Sequence, residues 1–263
     1  MGRRDLAPGR TVIDTARFNA ARTRVLSEAS TADGIGTLGE KTLHRILKSY
    51  IDSDEAFHEI KYLGSVADIK NSEGIFEIQT ASYEKLIPKL KKFLPTDKVT
   101  VVCPIIVNKR LRFIDKKTGE ISDPKKSPKH ESALDAFRKL YRIRQFLMSE
   151  NIRIRLICLE AEEYKYLDGW DKTKHKGATR VERIPTALLD DVCINSTREY
   201  RNFFPDALFG EFCALDFSKT IKRTPRYSYP ILRLFLELGV IEHIRTDGRK
   251  FIYKKTEKSI DEA

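Results

Sequence analysis

Residues 98–107, KVTVVCPIIV, are apolar at almost every position, not at every second one. Successive strand side chains face opposite sides of a sheet, so this run predicts a central strand buried on both faces. A sheet buried on both faces needs helices above and below it. That requirement excludes an antiparallel sheet with one wet face and directs attention to the flanking segments.

Those segments carry helical periods. Leu43, Ile46, Leu47, Tyr50 and Ile51 form one apolar stripe, and Thr37 precedes Glu40 at capping-box spacing. Residues 83–94 give a second amphipathic helix, with Leu86, Ile87, Leu90 and Phe93 on one side and Lys85, Lys89 and Lys92 largely on the other; Pro88 bends it or delays its start. A third helix is expected over about 132–148, with Leu134, Phe137, Tyr141 and Leu147 toward a core. Between the first two lie three short β segments, 56–64, 65–70 and 75–82, with residues 71–74 (NSEG) as a turn. Residues 110–115 read as a hairpin partner, 115–130 as an exposed Lys/Pro/Gly-rich loop, and 152–164 as a further strand.

This order predicts an α/β fold, a mixed sheet flanked by helices, over residues 34–168. Ahead of it, residues 1–33 hold a basic, weakly amphipathic helix that reads either as a solvated arm or as a phosphate contact. Behind it, residues 169–204 read as a polar, basic connector, with Lys174 and Lys176 either phosphate contacts or solvated linker. Residues 257–263 form a tail.

A chain of 263 residues accommodates two ordinary domains. Its 49 Lys and Arg against 38 Asp and Glu leave a net charge of +11, which points to a polyanionic partner, DNA first, and nothing in the charge separates DNA from RNA. The four cysteines are scattered, without a CxxC pair, as in reduced cytosolic proteins. No run has the length or apolarity of a signal peptide or membrane span, so a cytoplasmic location is expected and a membrane is not among the expected partners. The five histidines lack HxH or HxxH spacing, which gives no zinc site.

Three carboxylates stand out. Asp68 shares a face with Val66 in its strand, and Glu77 and Gln79 share one with Ile75, so polar groups interrupt faces that begin apolar. Glu40, three residues before Leu43 and seven before Leu47, projects from the apolar stripe of its helix. Carboxylates converging at a sheet edge suit Mg²⁺, a hard cation with oxygen ligands that polarises a phosphate and activates water. The same residues also fit a solvated hairpin and a helix N-terminus favoured by its dipole.

The arrangement over about 34–160 resembles the PD-(D/E)XK nuclease superfamily. The resemblance implies Asp68 and Glu77 as Mg²⁺ ligands, Ile78 as a carbonyl ligand, and Glu40 as an auxiliary ligand or water orienter. Glu40, Asp68, Glu77 and Gln79 are thereby the candidate catalytic set. Two positions depart from the pattern: Ala67 stands where Pro often precedes the Asp, and Gln79 stands where Lys is usual, although some restriction-enzyme relatives carry Gln there. A Mg²⁺-dependent endonuclease is the leading expectation, and a DNA-binding regulator with a degenerate nuclease-like domain is the alternative.

Residues 205–256 resemble winged helix-turn-helix domains. Leu208, Phe209 and Phe212 mark a first helix, residues 216–222 a second and 226–239 a third, followed by a hairpin turning at Asp247 and Gly248. Ten basic residues against four acidic ones lie in 215–256. The resemblance places the third helix in the major groove and the wing on the backbone or minor groove. It offers Arg226, Tyr227, Ser228 and Tyr229 as groove contacts, Arg249 and Lys250 as wing contacts, and Lys222 and Arg223 as further contacts. The third helix is expected to begin near Pro230 with Tyr229 just outside it. A solvated basic face on a dimerisation or docking module is the competing reading, and dimers are common among relatives of both families.

Overall fold

The computed structural model describes residues 13–30, 41–170 and 176–257. Thr37, Glu40 and Lys174 lie outside the described residues.

Helix α1 (Thr15–Ser30) begins after Asp14, whose carboxylate accepts from the Arg17 amide at 2.8 Å. It is no solvated arm: Phe18, Ala21 and Val25, spaced by three and four, are buried against α2 (Lys41–Ile51). The meander β1 (His58–Tyr62), β2 (Ser65–Asn71) and β3 (Gly74–Ile78) follows. A 3₁₀ turn at Tyr83–Leu86 leads into α3 (Ile87–Phe93), where Pro88 sits in the first turn and its missing N–H leaves nothing unpaired. Next come β4 (Val99–Ile114), β5 (Lys125–Lys126), α4 (Ala133–Leu140), β6 (Ile152–Trp170) and β7 (Lys176–Ile194). The C-terminal part holds β8 (Glu211–Cys213), α5 (Ala214–Thr220), α6 (Pro225–Glu237), β9 (Ile241–Asp247) and β10 (Lys250–Lys255).

The large sheet runs β1-β2-β3-β4-β6-β7, with β5 on the far end of β4. β4 pairs parallel with both β3 and β6, and the other pairings are antiparallel, so the sheet is mixed. The central strand behaves as its composition requires. Val99, Val101, Cys103 and Ile105 enter one apolar layer with α3, α4 and the C-terminal helices, while Val102 and Ile106 enter another with α1 and α2. Each fully buried aliphatic side chain contributes roughly 1.5–3 kcal/mol, so these two layers are the main source of cohesion.

Several boundaries differ from the sequence reading. Residues 110–114 continue β4 past a bulge between Ile106 and Asn108, and β5 folds back onto them. The expected helix over 132–148 ends as α4 at Leu140 and continues as 3₁₀ turns to Phe146, with a kink at Ile143. The connector is mostly strand: residues 176–194 pair along β6 as an edge. Charged residues interrupt its apolar pattern, and Pro185, opposite Ala161 beside a register shift, is tolerated there because an edge position needs no ladder N–H.

The C-terminal region has two α-helices where three were expected. Phe212 lies in β8 opposite Tyr253, and Phe209 is exposed, so no helix spans Leu208 to Phe212. The missing helical layer comes from α4: Phe137 packs edge-on to Phe203 and Phe235, at 5.1 and 5.8 Å between ring centres. Helix α6 starts at Pro225, not near Pro230, because Thr224 caps it by accepting from the Tyr227 amide. Tyr229 is therefore inside the helix. None of the four cysteines forms a disulfide, and among the described residues no helix is long and apolar enough to cross a membrane.

Candidate active site and nucleic-acid interface

Pairing of β2 with β3 reaches only Ile69 opposite Phe76. Beyond it the Ile78 amide, freed from that ladder, donates to Asp68 Oδ2 at 2.7 Å. His44 Nε2, from α2, is hydrogen-bonded to the same oxygen at 3.0 Å. The Asp68 carboxylate thus bridges helix and sheet where the strands part, and its side chain keeps 15% of its surface exposed.

Glu77 lies beside it, almost fully buried. Its Oε2 accepts from Lys89 Nζ of α3 at 2.7 Å, and that ammonium is also 4.0 Å from Asp68 Oδ1. Glu77 Oε1 is buried without a hydrogen-bond partner. Buried carboxylate oxygens are ordinarily satisfied, so this orphan suits a cation or a proton. Burial first, then the negative charge of Asp68, push the Glu77 carboxyl up to about 7 against the pull of Lys89. At Asp68 burial also works upward, but the His44 hydrogen bond and charge, the Ile78 amide and Lys89 outweigh it and hold the carboxyl below its usual range. Two adjacent carboxyls driven apart in this way make the pair a candidate site, although structural ion-pair networks perturb carboxyls as well.

Asp68 and Glu77 are therefore brought together, and Ile78 joins them through its amide. Gln79 does not: its side-chain amide donates to the Ala81 and Ser82 carbonyls, while its backbone carbonyl accepts from the Tyr83 hydroxyl. Sequence reasoning missed His44 and Lys89. Lys89 was assigned to the solvated side of its helix, and no local spacing rule ties it to Glu77. His44 was tested only for zinc spacing. Among the described residues no group of three or more His, Cys, Asp or Glu is arranged to hold a metal ion.

A family model described as a domain of unknown function, DUF8091, matches residues 41–195. The chain belongs to the DUF8091 family. The matched part runs from α2 to the end of β7 and so contains His44, Asp68, Glu77 and Lys89; the C-terminal helices and hairpin lie outside it. An uncharacterized protein of Treponema pallidum (strain Nichols) is 31% identical over 228 residues, covering 84% of this chain and 87% of its own. No solved structure matches.

Beyond the DUF8091 match, the C-terminal candidates divide. Arg226, Tyr229, Arg249 and Lys250 are exposed, as is Lys222 in the turn between α5 and α6. Ser228 is buried and hydrogen-bonded to Ser218 Oγ at 2.9 Å, so it holds the two helices together and faces no ligand. Tyr227 is half-buried between the guanidinium groups of Arg138 and Arg223, and Arg223 is turned back to the His130 carbonyl. Lys176 opens strand β7.

Proposed function

We propose that this protein binds DNA and hydrolyses its phosphodiester bonds with Mg²⁺, in a restriction endonuclease-like sheet joined to a winged helix. The observation that carries the reading is the Asp68–Glu77 pair at the parting of β2 and β3, with Glu77 Oε1 buried and unpartnered. These oxygens and the Ile78 carbonyl would hold the ion, which supplies a polarised phosphate and an activated water when bound. The chain's own residues do the rest. His44 and the Ile78 amide fix the direction of Asp68. Lys89 brings a positive charge to the carboxylates, the charge that Gln79 does not supply.

The C-terminal part supports the same reading. The helix pair α5–α6 is followed by the β9–β10 hairpin, and α6 and the hairpin present Arg226, Arg249 and Lys250 to solvent. Charges so placed suit phosphate contacts, which position a protein on a duplex. The arginines of helix α1 add little to this face, since Arg17, Arg22 and Arg24 donate to the Ile51, Pro185 and Ser53 carbonyls within the fold. A second reading, a DNA-binding regulator without turnover, is favoured by Gln79 facing away from the carboxylates.

Cleavage of supercoiled and linear DNA with Mg²⁺ or Mn²⁺ tests the two readings, with Asp68→Ala as control and binding recorded without metal. Metal-dependent cutting that disappears in Asp68→Ala supports the nuclease. Binding without cutting, unchanged in Asp68→Ala, leaves the regulator.

A further inference from the structure

Helix α6 and the β9–β10 hairpin enclose an open groove of about 500 Å³ with Tyr229, Phe251, Tyr253, His243 and Arg233 in its lining. Its lining is mainly aromatic, yet two of its rings are left in solvent: Tyr229 is 59% exposed and Phe251 57%. Soluble proteins seldom leave neighbouring large apolar side chains exposed without a use for them. Of the two, Phe251 is braced by a neighbouring ring. His243 packs edge-on to Phe251 at 5.3 Å and lies 6.0 Å from Tyr253, which in turn packs on Phe212. Arg226 and Arg233 stand three residues before and four after Tyr229, on the same face of α6. Arg233 lines the groove and shares Glu237 with Arg144.

We infer that this groove takes unpaired nucleotide bases, stacked on Tyr229 and Phe251, with the adjacent phosphates on Arg226 and Arg233. The inference rests on the nucleic-acid reading above and narrows it to strands with accessible bases. Exposed rings offer a base a face that a paired duplex cannot reach, and flanking guanidinium groups complement the backbone charge that comes with each base. An apolar peptide would use the rings but leave the ten-to-four basic excess of 215–256 without a role.

The test is fluorescence anisotropy on the full chain, without metal, using oligothymidylate of about 20 nucleotides and a duplex of equal length. Wild type is compared with Phe251→Ala, Tyr229→Ala and Phe251→Trp; unfolding curves check that each variant is folded. The expected result is binding of the single strand, weakened about tenfold or more by either alanine variant and restored by Trp. Duplex affinity should change less than about twofold. Equal weakening of both ligands, or none, overturns the inference. Duplex binding without single-strand binding overturns it and leaves the DNA-binding reading intact, whereas failure to bind either polymer removes both. Self-association in light scattering that is lost in Phe251→Ala, with single-strand binding unchanged, assigns the groove to a second copy and overturns it as well.

Discussion

Lys89 Nζ sits 2.7 Å from Glu77 Oε2, and it is the only ammonium among the described residues in ion-pair contact with that buried carboxylate. Lys89→Met removes the compensating charge. Without that charge Glu77 keeps its proton through neutral pH, which limits the cost to about 1–3 kcal/mol. Urea unfolding measures it, and the double variant Lys89→Met/Glu77→Leu should recover most of the loss. A double variant as unstable as the two single changes combined would mean that the pair is not coupled.

Glu77 also sets a pH dependence. Its carboxyl is raised to about 7 in the folded protein, so between its ordinary value of 4.5 and about 7 the folded chain holds a proton that the unfolded chain has released. The stabilisation is complete below the lower value and is lost as pH rises through the upper one. The unfolding free energy of wild type relative to Glu77→Gln should therefore fall across that window. Cation binding has the opposite sense: because Mn²⁺ displaces this proton, its affinity by titration calorimetry should rise from pH 6 to pH 8. A flat difference curve in the first experiment would contradict the raised carboxyl.

Asp191 is fully buried in β7 and accepts from Nε and Nη2 of Arg155 in β6, at 2.9 and 2.7 Å, and from the hydroxyl of Tyr50 in α2 at 2.8 Å. Arg155→Ala strands that carboxylate, and a loss of about 3–5 kcal/mol is expected at neutral pH. Tyr50→Phe removes one donor only and should cost about 1–2 kcal/mol. Equal losses in the two variants would show that the guanidinium is not the principal partner.

Phe137 of α4 touches Tyr200, Phe203 and Phe235. Phe137→Ala is expected to cost about 3–5 kcal/mol and to lower the stability of the sheet and of the C-terminal helices together. Calorimetry should record one cooperative transition for both proteins. Two separate transitions in the wild type would show that the C-terminal part unfolds on its own.

How much of this was legible beforehand depended on how local each signal was. The burial of β4 on both faces could be read from Val99 to Val107 alone, and the meander from residues 56–82 with its turn at Gly74, where φ is +123° and an added Cβ would lie 2.4 Å from the Lys98 carbonyl. Asp68 and Glu77 stood out because period-two alternation sets each on a strand face that begins apolar, and the superfamily resemblance then singled them out. The partners were not found, since His44 and Lys89 reach the carboxylates from helices that only the tertiary fold brings near. Strand β7 was hidden for a different reason: an edge strand tolerates charges and Pro185, so its composition reads as a linker. Lys109 of β4 and Arg183 of β7 pair with Glu163 of β6, which turns apparent surface charge into cross-strand contacts. The first C-terminal helix failed because Phe212 and Leu208 looked helical in spacing, while a strand partner at Tyr253 was forty residues away.

The clamp on Asp68 also bears on how much order a ligand must impose. Oδ2 is already engaged by the Ile78 amide and His44, so the rotamer is chosen by the fold before anything arrives. Freezing a free side chain on binding typically costs about 0.5–1.5 kcal/mol. At Asp68 folding has already met that entropy loss, so an ion held as proposed would find the carboxylate already oriented.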